Sequence, residues 1–449
     1  MLQTLVVLLI LAFGDARRSE AQDAQSVVVP NAVAPTTAKQ PSNWQQRAVE
    51  YARIMSGVRW TPVAEGMPGR NGTFEKGVQQ TGVPYSSVKA VGRYIGFDIY
   101  LKTFLAAVEN PKSVLYTESL EGKVGNAECY YGKVCSSYTC YALQCGIWYL
   151  SRLHVPPFRD GCEIVEPKSA QAIQVGDLIF TPPKSIPGGS HIELVTGVTK
   201  SDSGVITHVR VEESRPRTTM NTNRTAAEFD LHIASRNRVV CRITDWEAWR
   251  DGNEAGRFLF PNYAEDSATP AINRVLLLDR GDWVVYRKGE PVKFNVMDRD
   301  NQGVRKLVVK RGETLIEEIP VAKNSVVERT FVDSGDYTAH CVLDDGTVSQ
   351  ACEFSVCQLG LTLPDKEVIS GKAWDLHFET ENMKAIILYF RSSQNSYAQT
   401  MIFPTEEDRQ AGKVTIPAGF LNDKGKSTVW LIGENRYGRL KQTKSFLVK

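Results

Sequence analysis

The sequence predicts an α+β domain over residues 43–264, followed by two all-β immunoglobulin-like sandwich domains over 270–357 and 358–449. Three observations predict it. Within the first part, segments with apolar residues at helical spacing precede short β-rich runs, which is the order of an α+β domain. Beyond "PNYAEDSATPA" the helical spacing stops, and strand-like runs separated by turn residues take over. Finally, 449 residues correspond to about three domains of ordinary size, and 42% hydrophobic with 23% charged residues is enough to fill several cores.

The N-terminus comes first. "LVVLLILAFG" is apolar but too short to span a bilayer, and small residues follow around Ala21. Residues 1–21 read as a signal peptide, and "QDAQSVVVPNAVAPTTAKQPSN" (residues 22–42 with the first residue of the next domain) as a flexible leader. The n-region has no Lys or Arg, so an uncleaved anchor is the competing reading. No later segment is long and apolar enough for a transmembrane helix, and the expected location is secreted or periplasmic. A net charge of +2 without a long basic run argues against nucleic acid as a partner.

Next come three helical segments. "NWQQRAVEYARIMSG" repeats apolar residues at three and four. "PYSSVKAVGRYIGFDIYLKTFLAAVEN" has helical spacing and is closed by Asn110-Pro111. Residues 136–153 form the third. The runs "VGDLIF", "HIELVTGV" and "VITHVRVEES" are strands, the last two joined as a hairpin by "TKSDSG". In the C-terminal half, "WVVYRKGEPVKFNVM", "VRKLVVKRG" and "GDYTAHCVLDDGTVSQACEFSV" are strand-like. Cys341 and Cys352 flank a hairpin there and are candidates to bridge it.

The chemistry concentrates around "YYGKVCSSYTCYAL". Nine cysteines is an odd number, so full pairing in an exported protein leaves one over. A helix beginning at Cys135 puts its thiol among unpaired backbone N–H groups, which favour a thiolate and help hold an oxyanion. Ser136 is small and lets a substrate approach. His191 opens a strand after a Pro/Gly-rich loop, where a base belongs if that helix abuts the sheet. The hairpin's return strand carries Glu212 to His191, give or take one residue, with His208 and Glu213 as alternative orienters. The competing reading makes Cys135 a structural cysteine paired with Cys129, Cys140 or Cys145. No CxxC pair or ligand-spaced His points to a metal, and no organic cofactor is implied.

In this order the motifs resemble the NlpC-type cysteine peptidases, a papain-like α+β family. "VCSSY" is similar to their nucleophile segment, "GDLIF…SHIELVTGV" to their following strand pair, and "VRVEES" to the strand carrying the third residue. The likeness covers about Gly82 to Ser214. Val134 and Ser137 depart from the family's Asp and Gly, and a Glu third residue is closer to the YiiX-like and CHAP-like branches. The resemblance implies a papain-like (NlpC-type) catalytic domain hydrolysing an amide or peptide bond in cell-wall peptide. Cys135 would be the nucleophile, His191 the base and Glu212 its orienter; Tyr85, Ser136 and Ser190 would contact substrate. The β-domains would bind a polymer or partner protein. Two alternatives stay open: acyl transfer or lipid-ester hydrolysis on the same fold, and a non-catalytic secreted adhesion or binding protein.

Overall fold

The structure is a computed structural model. It describes residues 44–69, 72–85, 88–90, 93–95, 100–117, 134–143, 161–182, 191–215, 218–246, 274–297, 303–364, 368–392, 399–421 and 423–449. The signal peptide and leader expected over 1–42, Ser190, Cys129 and Cys145 lie outside these residues.

Four helices lie ahead of the first large sheet, α1 (Trp44–Gly57), α2 (Leu101–Glu109), α3 (Val114–Thr117) and α4 (Cys135–Ala142), with short two- and three-residue strands between α1 and α2. Along α1, Ala48, Tyr51, Ala52 and Met55 recur at helical spacing and are all buried. The sheet that follows contains β1 (Cys162–Ile164), β2 (Leu178–Thr181), β3 (His191–Lys200), β4 (Ile206–Ser214), β5 (Thr219–Thr225) and β6 (Val239–Ile243). Its spatial order is β5-β4-β3-β2-β6-β1, antiparallel throughout. Helix α5 (Ala226–Ala234) joins β5 to β6. It starts in a capping box in which Thr225 and Glu228 satisfy each other's backbone N–H groups. One face of the sheet, with Leu178, Ile192 and Leu194, packs on α1 and α4; the other, with Val195, Val209 and Val211, packs on Phe229 and Ile233 of α5.

The remainder is almost entirely strand: β7 (Leu276–Leu278), β8 (Val284–Arg287), β9 (Pro291–Val296), β10 (Val304–Arg311), β11 (Thr314–Pro320), β12 (Val326–Thr330), β13 (Gly335–Leu343), β14 (Cys352–Thr362), β15 (Trp374–Glu381), β16 (Ala385–Ser392), β17 (Gln399–Ile402), β18 (Lys413–Ile416), β19 (Gly425–Asn435) and β20 (Gly438–Val448). A short helix, α6 (Glu406–Ala411), precedes β18. The sheets run β7-β9-β12, β11-β10-β13-β14-β15-β18 with β8 parallel to β14, and β17-β16-β19-β20. Strand β14 pairs with β13 and β8 through its first half and with β15 through its second, so one strand runs through residues 357 and 358 without a break. Tyr337 of β13 donates its hydroxyl proton to the Asp333 carbonyl, four residues upstream.

These elements correct the expected fold class. Strand makes up 48% of the structure and helix 18%, so the molecule is mostly β and the papain-like α+β class does not describe it. A large part of the difference lies in residues 84–110. Among the described residues there, helix covers Leu101–Glu109, and 88–90 pairs with 93–95 as a two-stranded ladder. Val88, Tyr94 and Ile95 favour strand, and Gly92 and Gly96 oppose helix. Cys341 and Cys352, expected as a bridge, are free thiols, and Cys352 donates to the Leu276 carbonyl at 3.1 Å.

The helical region and the β-rich region are joined at Trp283. Tyr100 and Tyr437 pack on its ring with centroids at 5.8 and 4.5 Å, and Lys102 Nζ sits 3.5 Å from its centroid. Its indole N–H donates to the Arg436 carbonyl at 2.9 Å. Asn110 donates to the Leu278 carbonyl at 3.0 Å and accepts from Asn295 at 2.6 Å. Gly281 makes the approach possible: its φ is +102°, and a Cβ there would lie 2.3 Å from the Thr103 carbonyl oxygen. Gly281→Ala is therefore expected to lower unfolding free energy by about 3 kcal/mol in denaturant titrations. Gly312→Ala, at φ +56° with open space around the new methyl, should cost only about 1 kcal/mol.

Candidate functional site

The site forms where the N-terminus of α4 meets the start of β3. Cys135 is the first residue of α4 and is 6% exposed. The helix is held by Tyr138, whose hydroxyl donates to the Ala52 carbonyl at 2.9 Å, and by Thr139, which donates back to the Cys135 carbonyl at 3.0 Å. His191 opens β3 opposite Thr181 of β2, and its imidazole faces the Cys135 side chain. Its Nε2 lies 2.5 Å from Glu213 Oε2. Cys135 and His191 are thus brought to the same end of the sheet.

The third residue differs from the expectation. Glu213, not Glu212, meets His191, because the register of the β3–β4 hairpin sets Glu212 opposite Leu194. An extra residue on β4, Thr207, shifts the pairing near the turn, and an extra residue on β3, Thr196, shifts it back. Glu212 thus falls level with Leu194 on the face covered by α1 and α4, as it would in a hairpin without either bulge. There Glu212 is fully buried and accepts from Ser56 at 2.7 Å, Tyr138 at 3.1 Å and Arg210 at 3.1 and 3.2 Å. It is an anchor between helices and sheet. Burial first, then the Glu212 charge, pushes the Tyr138 hydroxyl well above its ordinary pKa. His208 lies far along β4, opposite Thr199 and Thr225.

Of the residues expected to contact substrate, Ser136 is half-buried at the second position of α4, beside Cys135. Tyr85 is half-buried next to Pro84, which bridges to Thr218. Asp177 is a turn and ion-pair residue: it accepts from the Gln174 N–H at 2.8 Å and from Arg242 at 2.9 and 3.0 Å.

A charged network surrounds Glu213, most of it invisible in the sequence. Arg215 Nε reaches Glu213 Oε1 at 2.8 Å, within ion-pair distance but off the hydrogen-bond direction. Glu193, two residues along β3 from His191, meets His232 of α5 at 2.8 Å and Arg238 at 4.0 Å. Burial works against protonation of His191, but the hydrogen bonds and charges of Cys135 and Glu213 outweigh it and push His191 up to about 10. Burial likewise raises Glu213, and its contacts with His191 and Arg215 outweigh this and bring it below the usual carboxylate range. His191 and Glu213 thus form an ion pair. Ligand atoms of His191, Glu193 and Glu213 lie within 4.8 Å of one another, which is geometrically adequate for a cation. Arg215, Arg238 and protonated His191 already compensate the two carboxylates, so the surroundings oppose a dication.

No family model matches the chain, and no curated protein does. Solved structures do match. Fibronectin(III)-like modules of Clostridium thermocellum CbhA are 16% identical over 37% of this chain and 89% of theirs, with a TM-score of 0.16. A chimeric titin Z1Z2-Z1Z2 tandem carrying a GRGDS peptide is 17% identical over 40% of this chain and 97% of that one, with a TM-score of 0.16. The FN1–FN3 domains of chicken CNTN1 are 10% identical over 40% of this chain and 67% of theirs, with a TM-score of 0.19. The expected membership of the NlpC-like papain-fold peptidases is corrected on the structure itself: the molecule is mostly strand, which the papain-like α+β class does not describe. The assignment as a thiol-dependent peptidase or amidase is withdrawn with it, as is cell-wall peptide as substrate.

Two measurements test this geometry. Glu212→Ala leaves Ser56, Tyr138 and Arg210 without their shared acceptor, and should cost about 3–5 kcal/mol of stability by denaturant titration. His191 has an ordinary pKa of 6.5 and a folded one of about 10. Its contacts therefore stabilise the fold in full below about pH 6.5, and that contribution disappears as pH rises through about 10. The stability gap between wild type and His191→Gln should accordingly narrow from neutral to alkaline pH.

Proposed function

We propose that the chain is an exported, non-catalytic binding protein, carried out of the cell behind residues 1–21 and divided into parts at 43–264, 270–357 and 358–449. The β-rich parts bind a partner protein or polymer, and the α+β-like N-terminal part is a scaffold locked to them. No described helix is long and apolar enough to cross a membrane. The observation that carries this reading is the edge of the largest β array. Strand β11 ends its sheet and pairs, among the described residues, with β10 alone. It exposes Leu315 at 53% and Ile316 at 40%, on opposite faces, with Val326 of the neighbouring edge strand β12 at 44%. Arg329 of β12 reaches Glu317 of β11 at 2.9 Å and ties the two edges together. An open strand edge with exposed apolar side chains offers both backbone hydrogen bonds and pockets for alternate residues. Between polymer and protein, those backbone donors and acceptors favour an extended polypeptide.

The test uses the full chain to select peptides from a displayed library. Peptides of extended, alternating pattern should bind, and the double variant Leu315→Lys/Ile316→Lys should weaken them about tenfold or more. Undiminished binding by that variant would move the interface elsewhere. Amide hydrolysis by the wild type that is lost in Cys135→Ala would overturn the non-catalytic reading altogether.

A further inference from the structure

We propose that Cys135 is a thiol-exchange site that takes up a low-molecular-weight disulfide, with His191 moving the proton and Glu213 holding His191 in place. This goes beyond the binding reading and does not depend on it.

Three observations carry the proposal. First, Cys135 is the described thiol joined to an imidazole, and that imidazole is fixed on its other side by a carboxylate at 2.5 Å. Second, the remaining described thiols lack this setting. Cys140, Cys241, Cys341, Cys352 and Cys357 are at 0% exposure, and burial pushes Cys341 and Cys357 up to about 12. Cys162, half-buried, is engaged with Cys241 instead. Third, Cys135 keeps 6% exposure, where the five thiols above keep none, and the His191 side chain beside it keeps 21%.

The exchange balances internally. The proton given up by Cys135 is the one that His191 carries, and the sulfur attacks one sulfur of the ligand disulfide. The ligand S–S bond breaks as the Cys135–S bond forms, and the departing thiolate recovers the proton from His191. The number of disulfides is unchanged, so no separate oxidant is needed. The groups facing His191 are Cys135, Glu213 and Glu193, with Arg215, His232 and Arg238 behind the two carboxylates.

Glutathione disulfide is the probe, added to the intact, reduced full chain, with adducts located by peptide mass mapping and rates followed against pH. One adduct on Cys135 is expected, absent in Cys135→Ser. His191→Gln should slow its formation about tenfold near neutral pH and shift the rate profile to alkaline pH. Glu213→Asp, which keeps the carboxylate, should slow it less, which keeps the test informative if His191→Gln folds poorly. An adduct that forms first on Cys162, or a Cys135 rate that neither substitution changes, would overturn the proposal.

Discussion

The register of the β3–β4 hairpin governs the arrangement of the N-terminal part. Glu212 and Glu213 are adjacent, so a strand sends them to opposite faces whatever the register. Register decides which of them faces which partner. Two bulges, at Thr207 of β4 and Thr196 of β3, cancel, and the resulting register assigns Glu212 to the helices and Glu213 to His191. Both assignments are demanding. A buried carboxylate without donors costs several kcal/mol, and Glu212 avoids that cost only because Ser56, Tyr138 and Arg210 converge on it. The helix that contributes Tyr138 also contributes Cys135. The anchor on one face of the sheet therefore positions the thiol that reaches the histidine of the other.

A second constraint acts at Trp283. Its positive φ and the adjacent Gly281 turn the chain so that the indole lies among Tyr100, Lys102, Tyr437 and the Arg436 carbonyl. Aromatic packing of this extent, with the indole N–H satisfied, outweighs the entropy of holding a linker in one conformation. Further along, Asn382 and Asn435 both donate to Ser355, which itself donates to Asp336. This polar network holds β13, β14 and β19 together beside the unbroken strand β14. The helical part and the β array are thus packed together in one compact unit that also carries the exposed edge at β11.

Local pattern made several elements readable in the sequence. Helix α1, the hairpin of β3 and β4, and the strand-rich C-terminal half follow from periodicity of 3.6 or 2 and from turn residues. The pairing of Cys135 with His191 was also readable, since one opens a helix and the other opens a strand. What could not be read depends on register or on distant chain. Register leaves no mark in composition, so Glu212 and Glu213 are indistinguishable in "VRVEES". His232 and Arg238 reach Glu193 from α5 and the turn after it, and only the folded sheet brings them there. The fold class failed for a related reason. Three motifs in family order say little about the chain between and after them, and there strand propensity prevails, as in the ladder at 88–95.

Charge around the site explains why the neighbouring carboxylates do not amount to a cation site. Glu193 and Glu213 share one face of the sheet and would repel each other if left alone. Arg215 and Arg238 compensate them from outside the pair. His191, held protonated by its neighbours, then adds a positive charge that the two carboxylates no longer balance. The group that faces this surplus is the sulfur of Cys135, at a helix N-terminus whose partial charge has the same sign. A cation placed here would meet net repulsion, so the same network that holds His191 protonated opposes a metal.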